Sequence, residues 1–520
     1  MYPRARQRTA DRPTARSGGS RDAWPGQPWP IRAIGVLRRH WLVSVLLAAG
    51  LALRALTLAA YHPALIYIDT LKYLYGASPG SEPLGYTVLL RSVLLIGDLG
   101  TMAAIQHLLG LAMAAVLYGV LRRRGVSRWL AAVAVAPVLL DAYQMQMEQM
   151  IMPDVWFEAM IVAGLAVLLW RPAVTVPAAA AAGLILGASA TFKQLGEFLI
   201  LPTVLYLVAA GGGSRRAVAR SAALAAAFAL PILCYCSVSY TRTGNFRLSH
   251  SQSTTGRLAA AADCATLKLP AAVRPLCPAP SEQAHGPDWL EHSGRSPLYA
   301  TVIPPGTRRS TLIGALDAAI ENQQPLRVAA SIVRDSVRLF AVTRAPALSV
   351  TPISRWQFQA SYPTYPPWVT LGRGNVIVVG VQVRAFEPFR FSDLSSAYGG
   401  KAQVDRPIAT FLRSYQLDGG YTPGPLLAAC VLAGLAGSFL ALIRRTGRSA
   451  SRELALACLL FTGTAATALL LPDVFEFSWR YQLPALITLP PAGVLGIGAL
   501  LSARPGRQLP RGERVTAAAS

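Results

Sequence analysis

Charged residues are scarce in this chain of 520 residues. They make up 14% of it, whereas a soluble domain carries about 25%, and hydrophobic residues make up 53%. Mean hydropathy is correspondingly positive, at +0.39. This composition excludes an ordinary soluble domain and predicts an integral membrane protein.

Acidic residues are scarcer than basic ones. The chain has 25 Asp and Glu against 49 Lys and Arg, and its formal net charge is +24. Such a charge is typical of nucleic-acid-binding proteins, but here the arginines form short clusters between apolar runs instead of one basic face interleaved with aromatic residues. We therefore expect no nucleic-acid partner and attribute the charge to membrane topology.

Several motifs of soluble enzymes are missing from the sequence. It has no G-x-x-x-x-G-K-[ST] phosphate-binding loop, and no G-x-G-x-x-G motif follows a predicted strand. Its six histidines are scattered and form no H-E-x-x-H pair, which argues against a zinc hydrolase. The sequence contains no tandem repeat of the kind that would indicate a solenoid. A nucleotide substrate is therefore disfavoured.

Ten apolar runs predict ten membrane-spanning helices and an all-α polytopic fold. The runs lie at 41–60, 101–121, 128–143, 153–170, 173–191, 195–211, 217–239, 424–443, 452–471 and 481–502. The predicted domains are a disordered basic tail (1–40), helices one to seven with the first outer loop (41–241), a mixed extracytoplasmic domain (242–423), helices eight to ten (424–503) and a second basic tail (504–520).

The arginine clusters predict the orientation of these helices. All clusters fall on one side of the membrane if each run crosses once, which is the positive-inside pattern. Both tails are then cytoplasmic, and the loop after the first helix lies outside with the long insertion. We expect a multi-pass protein of the cell membrane with its active site on the extracytoplasmic side.

The insertion has features of its own. Cys264 and Cys277 lie in a compartment that permits disulfides, and we expect them to pair. Residues 310–344 predict two helices broken before Pro325. The stretch NVIVVGVQV (375–383) is β-prone.

Charged side chains gather near the predicted outer boundary. The carboxylates considered for a site are Asp69, Glu82, Glu148, Asp154 and Glu158, and the cations are Arg54, Lys72, Lys193 and Arg480. For any single residue, the alternative is a charge placed where a helix meets water. Asp69 also precedes a short predicted helix that it would cap, and Asp154 follows Pro153 at a helix start that favours a carboxylate. Glu158 lies one turn deeper, where an ionisable group needs a cavity or a partner.

The order of four segments resembles a known family. An outward Asp69 is followed by SEPLGYTVLL (81–90), by EQMIMPDVWFEAMI (148–161) and by WRYQLPALITLPPAG (479–493). This order is similar to that of the GT-C superfamily of polyprenyl-phosphate-sugar-dependent glycosyltransferases, in particular the protein O-mannosyltransferase and aminoarabinose transferase branch and its actinobacterial members. The resemblance covers the membrane part of the chain.

The resemblance implies roles for individual residues. Asp69 matches the general base, Lys72 a donor-phosphate contact, and Pro83 to Tyr86 the start of a helix lying along the membrane surface. Relatives often carry Lys or His in place of Glu82, and many carry a Ser/Thr-Glu or Asp-Glu pair in place of Pro153-Asp154, so the phosphate and metal contacts transfer less directly. We assign donor-phosphate binding to Lys72, Arg54, Lys193 and Arg480, and orientation of substrate or metal to Glu148, Asp154, Glu158, Glu82 and Tyr86. The need for a divalent metal stays open.

The implied reaction is sugar transfer with inversion from a polyprenyl-monophosphate donor to a protein, glycan or lipid acceptor. A phosphate is an adequate leaving group once cations stabilise its charge, and one carboxylate is enough to accept the proton of the acceptor hydroxyl. Lys72, Lys193 and Arg480 serve one site only if helices one, six and ten converge. The alternatives are a lipid-linked sugar transporter or flippase, which usually shows internal repeats and charges near the midplane, and a polymer ligase.

Overall fold

The structure, a computed structural model, consists mostly of helices, and the longest of them are apolar. It describes residues 35, 38–67, 69–75, 83–211, 214–249, 254–347, 349–362, 398–443 and 450–502, and the backbone of three short strands between 371 and 383. Glu82 and most of the two predicted basic tails lie outside the described residues.

The described chain contains twenty α-helices. They are α1 (Trp41–Ala60), α2 (Thr70–Tyr75), α3 (Gly85–Leu94), α4 (Leu99–Arg123), α5 (Arg128–Leu140), α6 (Ala142–Gln149), α7 (Asp154–Leu169), α8 (Val176–Ser189), α9 (Ile200–Gly211), α10 (Arg215–Thr243), α11 (Thr255–Ala261), α12 (Pro280–Gln283), α13 (Gly286–His292), α14 (Pro297–Ala300), α15 (Arg309–Gln323), α16 (Pro325–Val337), α17 (Arg406–Leu417), α18 (Gly424–Ile443), α19 (Ala450–Asp473) and α20 (Pro484–Ser502). Five short 3-10 helices cover Gln194–Leu199, Arg274–Leu276, Arg338–Phe340, Ile353–Trp356 and Trp479–Gln482.

The prediction of an all-helical, multi-pass membrane protein is confirmed, but the count of ten spans is not. In the described residues, seven helical segments are long and apolar enough to cross a membrane, or eight if α5 and α6, bent by 49°, form one broken span. The runs at 153–170 and 173–191 are helical but short: α7 has 16 residues and α8 has 14. At 1.5 Å per residue these rise about 24 and 21 Å, less than the roughly 30 Å of bilayer hydrocarbon.

Glycine brings α8 close to α10. A Cβ added at Gly183 would lie 2.3 Å from the Leu224 carbonyl oxygen, and one added at Gly187 would lie 2.1 Å from that of Phe228. Small residues let helix backbones approach closely in membranes, where association depends on packing rather than on the hydrophobic effect. This contact holds α8 beside α10 despite its short length.

The segment after α1 is held on both sides by backbone pairing. Strand β1 (Tyr61–His62) pairs antiparallel with β5 (Gln403–Val404), which comes from the insertion. The Leu65 N–H donates to the Gln149 carbonyl oxygen at 3.0 Å, and the Leu65 carbonyl oxygen accepts from the Ile151 N–H at 3.0 Å. The chain leading to Asp69 is therefore fixed against the connection between α6 and α7.

Thr70 completes this attachment at the first residue of α2. Its hydroxyl donates to the Ile151 carbonyl oxygen at 3.0 Å and accepts from the Tyr67 N–H at 3.0 Å. Thr70 is fully buried. The residue next to Asp69 is thus attached to the connection between α6 and α7 by one hydrogen bond, and a second one orders its own segment.

Within the insertion, the structure contains the helices, strands and disulfide that the sequence predicts. Helices α15 and α16 meet at Gln324, so the predicted break before Pro325 is confirmed. Within the β-prone stretch, β3 (Asn375–Val378) pairs with β4 (Val381–Val383) and with β2 (Leu371–Gly372). The sulfur atoms of Cys264 and Cys277 form a disulfide.

Apolar residues of the insertion pack in two places. One group, from Leu258 to Ile320, forms its own cluster within the insertion. Another group, including Trp356, Phe358 and Leu412, joins the core of the membrane helices. The second group brings part of the insertion onto the segment that carries Asp69.

Candidate active site

Asp69 holds two cations with its two carboxylate oxygens. Oδ1 lies 2.9 Å from Lys72 Nζ, and Oδ2 lies 3.0 Å from Arg480 Nη1. The backbone carbonyl of Asp69, and not its side chain, accepts the Lys72 N–H at the start of α2. The carboxylate is therefore engaged in two ion pairs.

Arg480 joins Asp69 to a second carboxylate. Its Nε lies 3.7 Å from Asp154 Oδ1, and Lys193 Nζ lies 2.8 Å from the same oxygen. We call these five residues, Asp69, Lys72, Asp154, Lys193 and Arg480, the Asp69 cluster. Its members come from four separate segments of the chain, so the structure brings together the three cations whose convergence the site requires.

Local structure explains where these side chains point. Asp154 is the first residue of α7, and Lys193 directly precedes the 3-10 helix Gln194–Leu199. Arg480 lies on the 3-10 helix Trp479–Gln482, which separates α19 from α20. Each charged group thus sits at a helix break, where the chain changes direction and the side chain faces the shared space instead of lipid.

Aromatic rings surround the Arg480 guanidinium. Its central carbon lies 4.6 Å from the ring centroid of Tyr481, 5.3 Å from that of Trp356 and 5.9 Å from that of Tyr67. Lys193 Nζ lies 5.1 Å from the Tyr481 centroid. Cations at this distance from ring faces are attracted to them, and the rings limit access of water. The sequence interpretation missed these three residues, although Tyr67 and Tyr481 lie next to residues of the matching segments.

The charges of the Asp69 cluster determine the protonation of Asp69. Burial raises the pKa of its carboxyl group, but the opposing effects of Lys72 and Arg480 are together larger, and the pKa falls well below its usual range. Asp69 is therefore ionised at neutral pH. Held by both cations, it is also a weak base.

The insertion adds a second layer of charge. Arg355 Nη1 donates to the Tyr67 hydroxyl at 3.1 Å and lies 3.9 Å from Asp288 Oδ2, and His292 Nδ1 lies 3.4 Å from Asp288 Oδ1. No motif in the sequence marks these residues, because they lie in the insertion outside the segments that resemble the family.

Glu476 lies in the connection between α19 and Arg480. Burial raises the pKa of its carboxyl group, the negative charge of Asp288 adds to this, and Arg480 opposes it. Glu476 Oε2 is buried without a hydrogen-bond partner in the part of the chain that the structure describes. Although Glu476 precedes Arg480 by four residues, the nearest carboxylate of Arg480 is Asp69, because Glu476 lies outside the helices and the two residues share no helix face.

Arg54 lies in a different cluster. Its Nη2 is 2.7 Å from Glu148 Oε1, and His107 Nδ1 is 2.9 Å from Glu148 Oε2. Arg54 also donates to the carbonyl oxygens of Val138 and Leu139 at 2.9 Å. These carbonyls belong to the last turn of α5, where helical partners are lacking. The structure therefore places Arg54 with Glu148 and the end of α5, and not with the predicted donor-phosphate ligands.

Glu158 and Tyr86 are attached to this second cluster. Gln144 Nε2 donates to Glu158 Oε2 at 2.8 Å. The Tyr86 hydroxyl donates to Gln106 Oε1 at 3.2 Å, and Gln106 Nε2 donates to the backbone oxygen of Glu148 at 2.8 Å. Both side chains thus belong to one buried polar layer with Arg54, His107 and Glu148.

The described residues contain no group of three or more His, Cys, Asp or Glu side chains arranged to hold a metal ion. In the Asp69 cluster, Lys72 and Arg480 take both oxygens of Asp69, and Lys193 takes Asp154 Oδ1. Asp154 Oδ2 is buried without a hydrogen-bond partner in the same part of the chain.

No protein-family model and no curated protein sequence matches the chain. Among solved structures, it is similar to the S. cerevisiae protein O-mannosyltransferase Pmt1-Pmt2 complex bound to the sugar donor. The TM-score is 0.32 and the identity 18%, over 42% of this chain and 36% of that chain.

The chain is also similar to the oligosaccharyltransferase of Archaeoglobus fulgidus. The form tethered to an acceptor peptide gives a TM-score of 0.40 at 11% identity, over 89% of this chain and 50% of that chain. AglB in complex with an inhibitory peptide and a dolichol-phosphate gives 0.35 at 11% identity, over 91% and 53%. The chain thus spans 36% to 53% of the length of these proteins. Because all these TM-scores are below 0.5, we argue the chemistry of the site only from the contacts between its own residues.

Proposed function

We propose that the protein is an inverting GT-C glycosyltransferase, which moves a sugar from a polyprenyl-monophosphate donor to an acceptor hydroxyl at the outer face of the membrane. The observation that supports this most is the ion-pair chain of the Asp69 cluster, in which Arg480 lies between two carboxylates. The cluster combines cations that bind a phosphate group with a carboxylate that accepts a proton.

The cations suit a monophosphate donor. Lys72, Lys193 and Arg480 carry three positive charges against the two negative charges of Asp69 and Asp154, so an incoming phosphate finds an excess of positive charge. The planar guanidinium of Arg480 matches two phosphate oxygens at once. The same groups stabilise the charge that develops on the phosphate as it leaves, which is the main requirement for this chemistry.

Donor binding prepares the base. A phosphate that shares Lys72 and Arg480 weakens their hold on Asp69, and its own negative charge acts in the same direction, so the pKa of Asp69 rises toward its usual range. Asp69 then accepts the proton of the acceptor hydroxyl more readily. The base becomes effective only when the donor is in place, which limits transfer to the complete complex.

The transfer step follows from this arrangement. The acceptor oxygen attacks the anomeric carbon on the face opposite the phosphate, the carbon–oxygen bond to the phosphate breaks, and its electron pair leaves with the polyprenyl phosphate. The acceptor proton passes to Asp69. Attack on the opposite face inverts the configuration of the sugar, through a transition state with oxocarbenium character. Tyr67, Trp356 and Tyr481 provide the ring faces against which a sugar packs.

A donor panel tests this proposal. Purified protein in liposomes is incubated with radiolabelled polyprenyl-phosphate sugars and with polyprenyl-diphosphate sugars, and loss of sugar from each lipid is measured. We expect release from a monophosphate donor, and a decrease of about tenfold or more in Arg480→Lys, because an ammonium cannot bridge Asp69 and Asp154.

Two outcomes contradict it. Activity with diphosphate donors alone supports the polymer ligase. Movement of intact donor across the bilayer without loss of sugar supports the transporter.

A further inference from the structure

Helix α16 of the insertion exposes a row of apolar side chains. Leu326, Val333 and Val337 are 83%, 62% and 57% exposed. They are seven and four residues apart, so they share one face of the helix, and the exposed Ala330 lies between them on that face. We call these four residues the apolar stripe. Single exposed apolar residues are ordinary at a protein surface, but a continuous row of them indicates a partner.

The end of α16 is attached to the membrane helices. The Ser336 hydroxyl donates to Asp473 Oδ2 at 2.6 Å, and Asp473 is the last residue of α19. Leu339, just past α16, packs in one apolar cluster with Leu427 in the first turn of α18 and Leu469 near the end of α19. Both α18 and α19 are long and apolar enough to cross a membrane. The last turn of α16 therefore lies at the level where these spans end.

The beginning of α16 lies near the same level. Pro325 and Val328 line a cavity of about 230 Å³ together with Val474, the residue that follows α19. One end of α16 thus shares a cavity with the end of α19, and its other end is hydrogen-bonded to it. The 13 residues of α16 span about 20 Å. Because both of its ends lie near the end of a single span, α16 runs along the membrane surface instead of away from it.

The contacts of α16 show which way the apolar stripe faces. Asp335 binds Arg257 of the insertion, and the next residue, Ser336, contacts α19. Successive residues of a helix are rotated by about 100°, so the stripe lies opposite Asp335 and roughly 60° to 120° beyond Ser336. The stripe thus points away from the insertion and borders the side on which α16 meets the membrane helices. This direction leads to the lipid beside α19.

Exposed arginines lie on the opposite side of α16 from Ser336. They are Arg327 and Arg334, which are seven residues apart and so share a face. Arg327 Nη1 lies 3.7 Å from Asp263 Oδ2 in an exposed pair. The one acidic residue of α16, Asp335, is buried, so the exposed surface of the helix carries positive charge alone. An apolar face with arginines along its edge is typical of helices that lie in a membrane interface.

We propose that α16 lies in the lipid–water interface on the side of the insertion. The apolar stripe contacts lipid chains, and Arg327 and Arg334 reach the phosphates of anionic phospholipids. The apolar surface continues onto α18, because a Cβ added at Gly424, its first residue, would lie 2.1 Å from the Ala341 carbonyl oxygen, and the nearby Leu426 is exposed. The insertion is thereby attached to the membrane by a helix that does not cross it. This attachment does not depend on sugar transfer.

Quenching of a fluorescent label tests the surroundings of the stripe. Val333→Cys and Ala300→Cys are made in a background without the four free cysteines, labelled with the NBD fluorophore and placed in nanodiscs. Ala300 belongs to α14, which packs against α13 and the 3-10 helix Arg274–Leu276 within the insertion. We expect lipids with a doxyl group on the acyl chain to quench the label at position 333 about twofold or more, and iodide to quench it weakly. The label at position 300 should respond in the opposite way.

Three outcomes of this experiment overturn the proposal. Strong quenching by iodide at position 333, without quenching by doxyl lipid, places the stripe in water. Protection from both quenchers shows that protein covers the stripe, as a second copy of the chain would. Equal responses at positions 333 and 300 show that the stripe has no special contact with lipid.

The arginines of α16 predict a preference for anionic lipid. At equal content, doxyl-labelled phosphatidylglycerol should quench the label at position 333 about twofold more than doxyl-labelled phosphatidylcholine, because arginines at the surface attract anionic headgroups. Arg327→Gln combined with Arg334→Gln should remove this difference and retain the quenching by phosphatidylcholine. Arg295→Gln combined with Arg308→Gln, at two exposed arginines outside α16, should leave the difference unchanged. Equal quenching by the two lipids with Arg327 and Arg334 in place contradicts their role.

Discussion

Asp69 binds two cations at once, and this contact makes its basicity depend on their other partners. Lys72 is three residues away in the chain and Arg480 is 411 residues away, yet both lie within 3.0 Å of the carboxylate. A carboxylate held in this way is ionised but is a weak base until an anion competes for the cations. The proposed base and the proposed phosphate ligands are therefore one electrostatic unit.

Replacement of Asp69 by Asn tests its role as a base and its role in neutralising Lys72 and Arg480 separately. We expect transfer to fall by about 10²-fold or more, because an amide accepts no proton from a hydroxyl at neutral pH. Donor affinity should be unchanged or higher, since Asn no longer neutralises Lys72 and Arg480. Transfer rates and donor titrations on the same preparation measure both effects.

Asp98→Asn is the matched control. Asp98 Oδ1 accepts the Thr101 N–H at 2.7 Å at the start of α4, and Asn caps a helix about as well as Asp. Its transfer rate should be that of the wild type. A near wild-type rate in Asp69→Asn would show that Asp69 only balances charge, and Asp154 would be the next candidate base.

The pH dependence of transfer shows how strongly Lys72 and Arg480 lower the pKa of Asp69. The profile of kcat/KM follows the free enzyme, in which the lowered pKa of Asp69 keeps the base ionised below the usual aspartate value of about 4. Lys72→Met removes one cation, so the pKa of Asp69 should rise and the acid limb of the profile should move to higher pH. Lys401→Met, a change at an exposed lysine, serves as the control. An unshifted acid limb in Lys72→Met contradicts the role of Lys72.

At the scale of the elements, the buried polar layer depends on a glycine in α4. The Cβ of an alanine at Gly110 would lie 2.0 Å from Glu148 Oε1 and 2.7 Å from Arg54 Nη2. Gly110 thus leaves the space beside α4 in which Arg54 of α1 and Glu148 of α6 form their ion pair. The connection between α6 and α7, which holds the Asp69 segment, follows directly after Glu148.

Gly110→Ala should destabilise the protein, although alanine is the better helix former by about 1 kcal/mol. The added methyl group pushes Glu148 away from Arg54, and breaking such a buried pair costs about 3–5 kcal/mol. Thermal unfolding in detergent, followed by circular dichroism, measures the loss. Gly119→Ala on the same helix meets Trp170 at an ordinary 3.4 Å and should be neutral or stabilising. Equal melting temperatures for the two variants would contradict this packing argument.

At the scale of the whole molecule, the insertion and the membrane helices share the site. Tyr67 lies in the connection after α1, whereas Trp356 and Arg355 come from the insertion, and all three lie around Arg480 or its neighbours. Strands β1 and β5 connect the same two parts of the chain. We propose that the insertion forms an extracytoplasmic domain that closes the site over the membrane surface.

Accessibility labelling tests this orientation. Single cysteines replace Ala300 in the insertion and Ser214 in an arginine cluster, both exposed, in a background without the four free cysteines. A membrane-impermeant maleimide should label the Ala300→Cys protein in intact cells, and the Ser214→Cys protein only after permeabilisation, because arginine-rich loops stay in the cytoplasm. Labelling of both from the same side would contradict the proposed topology and an outer active site.

The positions of the long apolar helices could be predicted from the sequence alone. Helix formation depends on neighbours within a few residues, so each of the ten apolar runs coincides with a helix of the structure, and the missing N–H of proline located the break before Pro325. The number of spans was less predictable, because the lengths of α7 and α8 depend on where their ends meet other helices.

Which charged side chains pair with each other depends on how distant segments pack in the folded chain. Arg54 and Arg480 are both buried arginines, yet one binds Glu148 and the other binds Asp69 and Asp154. A charged side chain pairs with whatever partner the packing of distant segments brings within about 4 Å, and sequence spacing carries no record of that distance. The aromatic residues around Arg480 are brought together in the same way, from segments that meet only in the folded chain.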